Sequence, residues 1–415
     1  MTDTPISLAL LARAAGSEAA SGKAVRAVPA RAVLSGVGAP GALVALAERG
    51  APWSPDRVVL TLDFHAPEVE SRVPRARTRC RELARTFGLH HVFDLNAGVG
   101  SRVVLEWGLV LPGDLVAGCG RCLGVVGGVG ALGLRLGEGA LAGVLVEGAM
   151  ELRAPEAVRV AVGGKPARHV GAWDVAKAVA AALDQDLDGR VVEFRDPPEG
   201  WSVEFRSSLC GILGEMGALA ALVAPDGVTG AHYEARGITL DENPAPGSGA
   251  YAREIRLDLA DVGPVAGPGY NEPAGALAAR AGEPVDGVFL GSCYGGGLDD
   301  LAVAAEILRK AGRIDPAVRL TISPATLEVA RAALNAGYYE AFFGAGAIVA
   351  APGMGVGNVG GGAILGEGEH LASTAAYHRP AGPGQASPTV TLVSPAAAAA
   401  AAVAGKLIDP AEFTS

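Results

Sequence analysis

Aromatic side chains, cysteines, long apolar runs and positive charges are all scarce in this sequence of 415 residues. Phe, Trp and Tyr together make up 5% of the residues, so small aliphatic side chains must fill the core. The 34 Lys and Arg residues face 44 Asp and Glu residues, and a net charge of −10 argues against a nucleic-acid partner, which requires a basic face. The longest apolar runs, 122–134 and 396–405, are shorter than the ~18–20 residues of a membrane span. We therefore expect neither a nucleic-acid nor a membrane partner.

The cysteine count favours a cytoplasmic location. Five cysteines are too few for a disulfide scaffold at this length. The apolar stretch near the amino terminus lacks the basic residues that begin a secretory signal. We therefore expect a cytoplasmic protein whose thiols are reduced unless they bind a ligand.

Hydrophobic residues, at 50%, and glycine, at 60 residues, are abundant. The length predicts two or three domains of ~100–200 residues each. Strand-like apolar runs alternate with helical patterns, which is typical of a doubly wound α/β fold with its sites at the carboxyl ends of the strands. The predicted strands are 57–62, 114–117, 287–290 and 347–351, and the predicted helices are 75–87, 299–312 and 395–405.

Five segments carry motifs in a definite order along the chain. They are Val103–Gly118, Gly287–Cys293, Pro352–Gly357, Gly368–Thr374 and Val393–Lys406. Together they resemble the aconitase superfamily, most closely the large subunits of isopropylmalate dehydratase and homoaconitase. The resemblance implies an α/β protein with the aconitase-like three-domain α/β/α architecture, without the swivel domain that a small subunit often carries. It implies interleaved domains 1 and 2 in residues 1–240, a Pro/Gly-rich linker at 241–250 and domain 3 in residues 251–415.

The cluster-binding cysteines of the family are mostly replaced. The family's [4Fe–4S] cluster requires three thiolates. Cys293 keeps the first of these positions, whereas Met354 and Gly357 occupy the other two. A thioether and a hydrogen atom cannot replace charged thiolates, so we expect no [4Fe–4S] cluster.

The acid–base and substrate-binding motifs of the family are replaced as well. D-S-H-T becomes the segment Gly120–Leu123, and the histidine of D-H-x-x-P moves by one position, which puts His65 on the same face of an extended segment as Asp63. These losses exclude the familiar aconitase chemistry. The side chains that now stand at the motif positions are Asp63, His65, Ser101, Arg121, Cys122, Tyr294, Ser373, Tyr377, His378 and Arg379.

Three cysteines lie on loops that meet at the active site of the family. Cys119 and Cys122 form a C-x-x-C pair on the former D-S-H-T loop, and Cys293 lies on a cluster loop. Three interpretations stay open: the three thiols bind a metal ion, Cys122 and Cys293 act as a catalytic nucleophile or acid, or small buried cysteines simply fill the site. Cys80 and Cys210 are expected to pack within helices.

The other replacements suggest new catalytic and binding groups. Asp63 and His65 form either an acid–base pair or an ion pair at the end of a loop. Arg121 either holds a substrate carboxylate and lowers a thiol pKa or lies free on the surface. The predicted substrate-binding residues are Ser101, Arg121, Tyr294, Ser373, Tyr377, His378 and Arg379.

Two functions follow from these substitutions. The first is a cluster-free lyase of the hydro-lyase type, or an isomerase, that uses a cysteine-containing site on a small carboxylated metabolite in a specialised biosynthetic pathway. The alternative is a non-catalytic homologue that binds a metabolite or a small swivel-domain subunit. An enzyme predicts titratable groups with perturbed pKa values that converge in the cleft, whereas a non-catalytic homologue predicts an occluded or apolar cleft.

Overall fold

The computed structural model describes residues 4–63, 72–167, 169–240, 249–355, 365–376 and 388–413. Three parallel β-sheets and two short antiparallel pairs account for the strands of these residues. The strands are β1 (Ala24–Ala27), β2 (Arg31–Leu34), β3 (Val58–Thr61), β4 (His91–Phe93), β5 (Leu115–Gly118), β6 (Leu132–Arg135), β7 (Met150–Arg153), β8 (Glu156–Gly163), β9 (Arg190–Phe194), β10 (Ala220–Val223), β11 (Arg253–Asp258), β12 (Val265–Ala266), β13 (Gly275–Ala276), β14 (Gly287–Gly291), β15 (Arg319–Ser323), β16 (Ile348–Val349), β17 (His370–Ser373) and β18 (Thr389–Leu392).

Helices connect most of these strands, as parallel pairing requires. They are α1 (Ile6–Ala15), α2 (Ala39–Arg49), α3 (Arg72–Thr86), α4 (Gly100–Glu106), α5 (Glu138–Glu147), α6 (Ala172–Ala182), α7 (Val203–Glu215), α8 (Gly227–Glu234), α9 (Ser292–Gly295), α10 (Leu298–Ala311), α11 (Leu327–Asn335), α12 (Tyr338–Ala345) and α13 (Pro395–Ala404). No helix of the described ranges is long and apolar enough to cross a membrane.

The three sheets have the strand orders β4-β3-β2-β5-β6, β10-β9-β8-β11 and β16-β15-β14-β17-β18. Every pairing within them is parallel. Strands β3, β5 and β14 are buried along their whole length, which explains why they read as continuous runs of small apolar residues. The α/β fold predicted from the sequence is confirmed.

Helix α10 shows how local sequence determines one of these elements. Its apolar residues at helical spacing, among them Leu301, Ala304 and Leu308, are buried as predicted. Asp300 accepts a hydrogen bond from the Gly297 backbone N–H at 3.1 Å and so caps the first turn. Gly312, with φ of 80°, ends the helix in a conformation that favours glycine.

Strand β11 joins a sheet whose other strands all come earlier in the chain. It lies beyond the expected linker at 241–250, of which residues 241–248 are outside the described part of the chain. It nevertheless adds to the edge of the second sheet, parallel to β8, in register from Arg253 opposite Val158 to Asp258 opposite Gly163. The third sheet begins at Gly287.

The first and third sheets each have a point where the strand order reverses direction. It lies between β2 and β5 in the first sheet and between β14 and β17 in the third. Loops diverge at the carboxyl ends of such strand pairs and leave a crevice, which is where ligands of open α/β sheets bind. Cys119 follows β5 directly, and Ser292 follows β14 directly.

Candidate functional site

A disulfide bond between Cys122 and Cys293 links the two crevices. Cys122 lies in the 3₁₀ helix Arg121–Val129 after β5, and Cys293 lies in α9 after β14. Their Cα atoms are 6.5 Å apart, although 171 positions separate them in the chain. The side chains are 4% and 1% exposed. The structure therefore brings together two of the three predicted cysteines, and it corrects the expectation that both thiols are reduced.

The backbone before Cys293 turns sharply to place it at this point. Gly291 has φ of 155°, and Ser292 has φ of 68°, a left-handed conformation that few side chains adopt. A Cβ on Gly291 would lie 2.3 Å from the Ser323 carbonyl oxygen, so this position requires glycine. Ser292 then directs its hydroxyl to within 3.8 Å of the Met354 sulfur.

Met354 packs directly against the disulfide. Its sulfur lies 3.6 Å from Cys122 Sγ. In the resembled motif, Met354 stands at a cluster-ligand position, and the structure places its sulfur beside Cys122, the cysteine to which Cys293 is bonded. Gly357, at the third ligand position, lies outside the described residues.

Cys119 points away from the disulfide. Its sulfur lies 3.6 Å from the Ser35 carbonyl oxygen, and a Cβ on Gly38 would contact it at 3.5 Å. Burial raises the pKa of the Cys119 thiol to about 11, so the group is a neutral thiol at physiological pH. In the described part of the chain, no three His, Cys, Asp or Glu residues are arranged to hold a metal ion. The predicted metal site of Cys119, Cys122 and Cys293 is thus not formed among these residues, because the C-x-x-C pair divides between two directions.

A second, polar bridge runs alongside the disulfide. Glu215, the last residue of α7, accepts a hydrogen bond from Tyr294 OH at 3.2 Å and pairs with Arg121 Nη2 at 3.0 Å. Its side chain is only 5% exposed, whereas that of Arg121 is 46% exposed. Arg121 and Tyr294 adjoin the two bonded cysteines, so Glu215 joins the same two loops as the disulfide.

The phenol of Tyr294 stays protonated and so keeps its hydrogen bond to Glu215. Burial raises the pKa of Tyr294 well above its usual value, and the nearby Glu215 carboxylate raises it further. The phenol is therefore a permanent donor. The ring of Tyr270 packs edge-on against that of Tyr294, with 6.0 Å between ring centroids. Sequence reasoning found Arg121 and Tyr294 but missed Glu215, which lies in no motif.

Asp63 connects two loops through its carboxylate. Its carboxylate accepts hydrogen bonds from the backbone N–H groups of Gly36 at 2.7 Å and Gly100 at 2.9 Å, and from Thr61 Oγ1 at 3.1 Å. Burial raises its pKa, and these three donors oppose the rise. Its predicted partner, His65, lies outside the described residues. Within the described chain, Asp63 thus holds the carboxyl end of β2 against the start of α4.

Ser101 and its neighbour Arg102 occupy the first turn of α4. Ser101 is 1% exposed, and its hydroxyl has no hydrogen-bond partner among the described residues. The guanidinium of Arg102 is buried and donates to the Cys293 carbonyl oxygen through Nη2 at 2.6 Å and through Nε at 3.1 Å. It also pairs with Glu204 at 3.0 Å. Arg102 therefore fixes the Cys293 loop, a role that no sequence motif indicated.

The segment after β17 attaches to the same loop from the other side. Thr374 Oγ1 accepts a hydrogen bond from the Gly291 N–H at 2.9 Å and donates to the Gly291 carbonyl at 3.1 Å. Ser373 Oγ bonds instead within its own turn, to the backbone of Ala375. Ser373 is completely buried and has its hydrogen bonds satisfied. The remaining predicted binding residues, Tyr377, His378 and Arg379, lie outside the described part of the chain.

Comparison with known proteins assigns the fold to a family. The model of the Aconitase family (aconitate hydratase) matches residues 10–268 and 270–405. The chain belongs to the aconitase family. This membership confirms the resemblance inferred from the five ordered segments and the aconitase-like α/β architecture.

Several relatives within the aconitase family are similar over most of the chain. The 3-isopropylmalate dehydratase large subunit 1 of Methanopyrus kandleri is 32% identical, and the match covers 97% of this chain and 98% of the relative. The homoaconitase large subunit of Thermus thermophilus is 33% identical, over 87% of this chain and 86% of the relative. Among solved structures, the holo-form of Thermococcus kodakaraensis aconitase X aligns with a TM-score of 0.52 at 18% identity and covers 84% of this chain and 83% of its own. That last similarity concerns the fold alone.

Proposed function

We propose that this aconitase-family protein is a lyase of the hydro-lyase type that acts on a small carboxylated metabolite without a [4Fe–4S] cluster. Its reacting groups in this proposal are the thiols of Cys122 and Cys293 in the reduced protein. The observation that carries the proposal is the contact between these two cysteines at the crevices of two sheets, beside Arg121 and Tyr294. Burial also raises the pKa of Tyr294, and a titratable group with a perturbed pKa at such a point is typical of active sites.

The donor set at the family's cluster position does not fit a [4Fe–4S] cluster. Such a cluster requires three thiolates from the protein. Cys293 is bonded to Cys122, and the adjacent donor is the neutral thioether of Met354. Gly357 has no side chain to offer. We therefore derive no step through an iron–sulfur cluster.

The proposed elimination needs one base and one acid. The half-exposed guanidinium of Arg121 holds a substrate carboxylate, which acidifies the adjacent C–H bond. One cysteine thiolate takes that proton, the electron pair of the C–H bond becomes the C=C bond, and the C–O bond breaks. The leaving hydroxyl accepts a proton from the second thiol and departs as water.

This chemistry requires the reduced form of the protein. A thiol reductant, either a small thiol or a dithiol protein, supplies the two electrons and two protons that convert the disulfide into two thiols. The oxidised form that the structure shows has no thiol at either position. We therefore expect activity to depend on reduction.

One observation favours the second candidate function, a non-catalytic homologue. Cys122 and Cys293 are almost wholly buried, and Met354 packs onto them, which is the occluded arrangement that this function predicts. Because the similar relatives are named as large subunits, we further propose that this chain binds a small swivel-domain subunit in either case.

Solvent deuterium exchange distinguishes the two functions. The reduced full-length protein is incubated in D₂O with a panel of carboxylates that carry a hydroxyl on the β carbon, with and without the small subunit, and NMR follows loss of the proton next to the carboxylate. We expect exchange only after reduction, and a loss of ~10²–10⁴-fold in Cys122→Ser and in Cys293→Ser. Cys80→Ser, which changes a free cysteine buried in α3 and in a different core cluster, is the matched control.

Three results would each contradict a part of the proposed function. Exchange that survives in both serine variants excludes the thiols as the reacting groups. No exchange with any compound of the panel, in the reduced protein with its small subunit, supports the non-catalytic homologue. About four irons and four sulfides per chain after anaerobic purification would overturn the cluster-free assignment.

A further inference from the structure

A cavity of about 400 Å³ opens at the amino ends of the strands of the first sheet, whereas the disulfide lies beyond their carboxyl ends. It lies at the amino ends of three strands: Arg31 begins β2, Arg57 precedes β3, and Asp114 precedes β5. Cys119, by contrast, follows the carboxyl end of β5. The four residues of such a strand span about 13 Å, so the cavity is separate from the candidate site.

Three arginines and one carboxylate give this cavity its charge. Arg13, Arg31 and Arg57 all line it together with Asp114. Among the described residues, none of the three guanidinium groups forms an ion pair within 4.0 Å, in contrast to Arg102, Arg121 and Arg206 elsewhere in the chain. Burial raises the pKa of the Asp114 carboxyl, and the positive charges of the three arginines oppose that rise. All three guanidinium groups are therefore close enough to influence the same carboxyl.

Hydrogen bonds hold Arg31 in place, and Gly113 leaves room for Arg13. Arg31 donates from Nε to the Leu109 carbonyl at 2.9 Å and from Nη1 to the Ala30 carbonyl at 3.3 Å. A Cβ on Gly113 would lie 3.0 Å from Arg13 Nη1, so glycine leaves room for that guanidinium. The Asp114 carboxylate accepts a hydrogen bond from the Leu111 backbone N–H at 2.8 Å. Three arginines and one carboxylate therefore give the cavity a local excess of positive charge in a protein whose net charge is −10.

The remaining lining is aliphatic. It comes mainly from leucine, valine and alanine side chains of α1, of the approach to β2 and of the loop before β5, among them Leu10, Val28 and Leu111. A cavity of this size that joins apolar walls to a few convergent charges is typical of sites for small organic ligands. We propose that it binds a small organic dianion, whose two anionic groups contact the arginines while its aliphatic part packs on the apolar walls.

Calorimetric titration of the full-length protein tests this site. The probes are the aliphatic dicarboxylates from succinate to pimelate, with hexanoate as a single-charge comparator and inorganic phosphate as a comparator without an aliphatic part. We expect at least one dicarboxylate to bind saturably, and the double variant Arg13→Gln/Arg57→Gln to bind it about tenfold or more weakly, because two charge-assisted contacts are lost. Both arginines are exposed, so this variant should fold.

A charge-matched control separates this cavity from other positive charges. Arg85→Gln removes an exposed arginine of α3 that does not line the cavity, and it should bind the dicarboxylate as the wild type does. The proposal is overturned if no dicarboxylate binds, if the double variant binds unchanged, or if Arg85→Gln weakens binding as much as the double variant does. Phosphate or hexanoate that binds as tightly as the best dicarboxylate would exclude an organic dianion.

Discussion

At the scale of single residues, the five cysteines differ in what they can react with. Cys122 and Cys293 are bonded to each other, whereas Cys80, Cys119 and Cys210 are free. A thiol reagent added to the denatured, unreduced protein should therefore modify three cysteines, and five after reduction. In Cys122→Ser the count without reductant should rise to four, because the three free thiols are joined by Cys293. Five reactive thiols in the unreduced wild type would contradict the bond.

The buried carboxyl of Glu106 should make the free energy of unfolding depend on pH. It ends α4 and accepts a hydrogen bond from the Thr326 hydroxyl. Burial raises the pKa of Glu106 from 4.5 to about 8, so the folded protein holds a proton that the unfolded chain releases. The stability contributed by neutral Glu106 is therefore complete below pH 4.5 and is lost as the pH rises through about 8.

Urea unfolding at pH 5 and at pH 9 measures this dependence. Wild type should lose more stability between the two pH values than Glu106→Gln, whose side chain stays neutral throughout. Glu82→Gln is the control, because Glu82 is exposed and forms a surface pair with Arg79 on the same helix. Equal losses in wild type and Glu106→Gln would show that Glu106 does not titrate in this range.

At the scale of elements, α4 holds the Cys293 loop through one side chain. Arg102 satisfies the Cys293 carbonyl, the Ser208 hydroxyl and the Glu204 carboxylate from a buried position. Arg102→Met should cost about 3–5 kcal/mol of stability, because it leaves buried groups without partners. The control Arg253→Met breaks the exposed pair with Asp184 and should cost at most ~1 kcal/mol. Similar unfolding free energies for the two variants would contradict the conclusion that Arg102 holds the Cys293 loop.

The same scale shows what sequence reasoning can reach. Strand β3 and helices α3, α10 and α13 were predicted within a few residues, because periodicity and caps act locally. The pairing of β11 with β8 was missed, since nothing in a strand's own residues specifies a distant partner.

In the candidate site, too, sequence reasoning predicted some contacts and missed others. The meeting of Cys122 and Cys293 followed from the order of family motifs, whereas Glu215 and Arg102 act through contacts that form only in the folded chain. The direction of Cys119 was likewise not available from the sequence, because two cysteines three positions apart after a strand can face different neighbours.

At the scale of the whole molecule, the disulfide should be a main source of stability. It closes a loop across 171 positions, and in the chain-entropy model such a loop stabilises the folded state by about 5 kcal/mol. Reduction should therefore lower the melting temperature of the wild type. The double variant Cys122→Ser/Cys293→Ser should melt at the same temperature with and without reductant. A wild type that is unaffected by reduction would show that the bond does not constrain the unfolded chain.

The position of that bond also determines how the molecule would respond to mechanical force. The covalent ring from 122 to 293 contains every strand of the second sheet, and the force from a pull on the two chain ends would pass through the bond and bypass the ring. The ring's 171 residue steps amount to about 600 Å of extended chain. In a force–extension measurement, the oxidised protein should therefore reach its full length about 600 Å short of the reduced protein, with the second sheet shielded from the load.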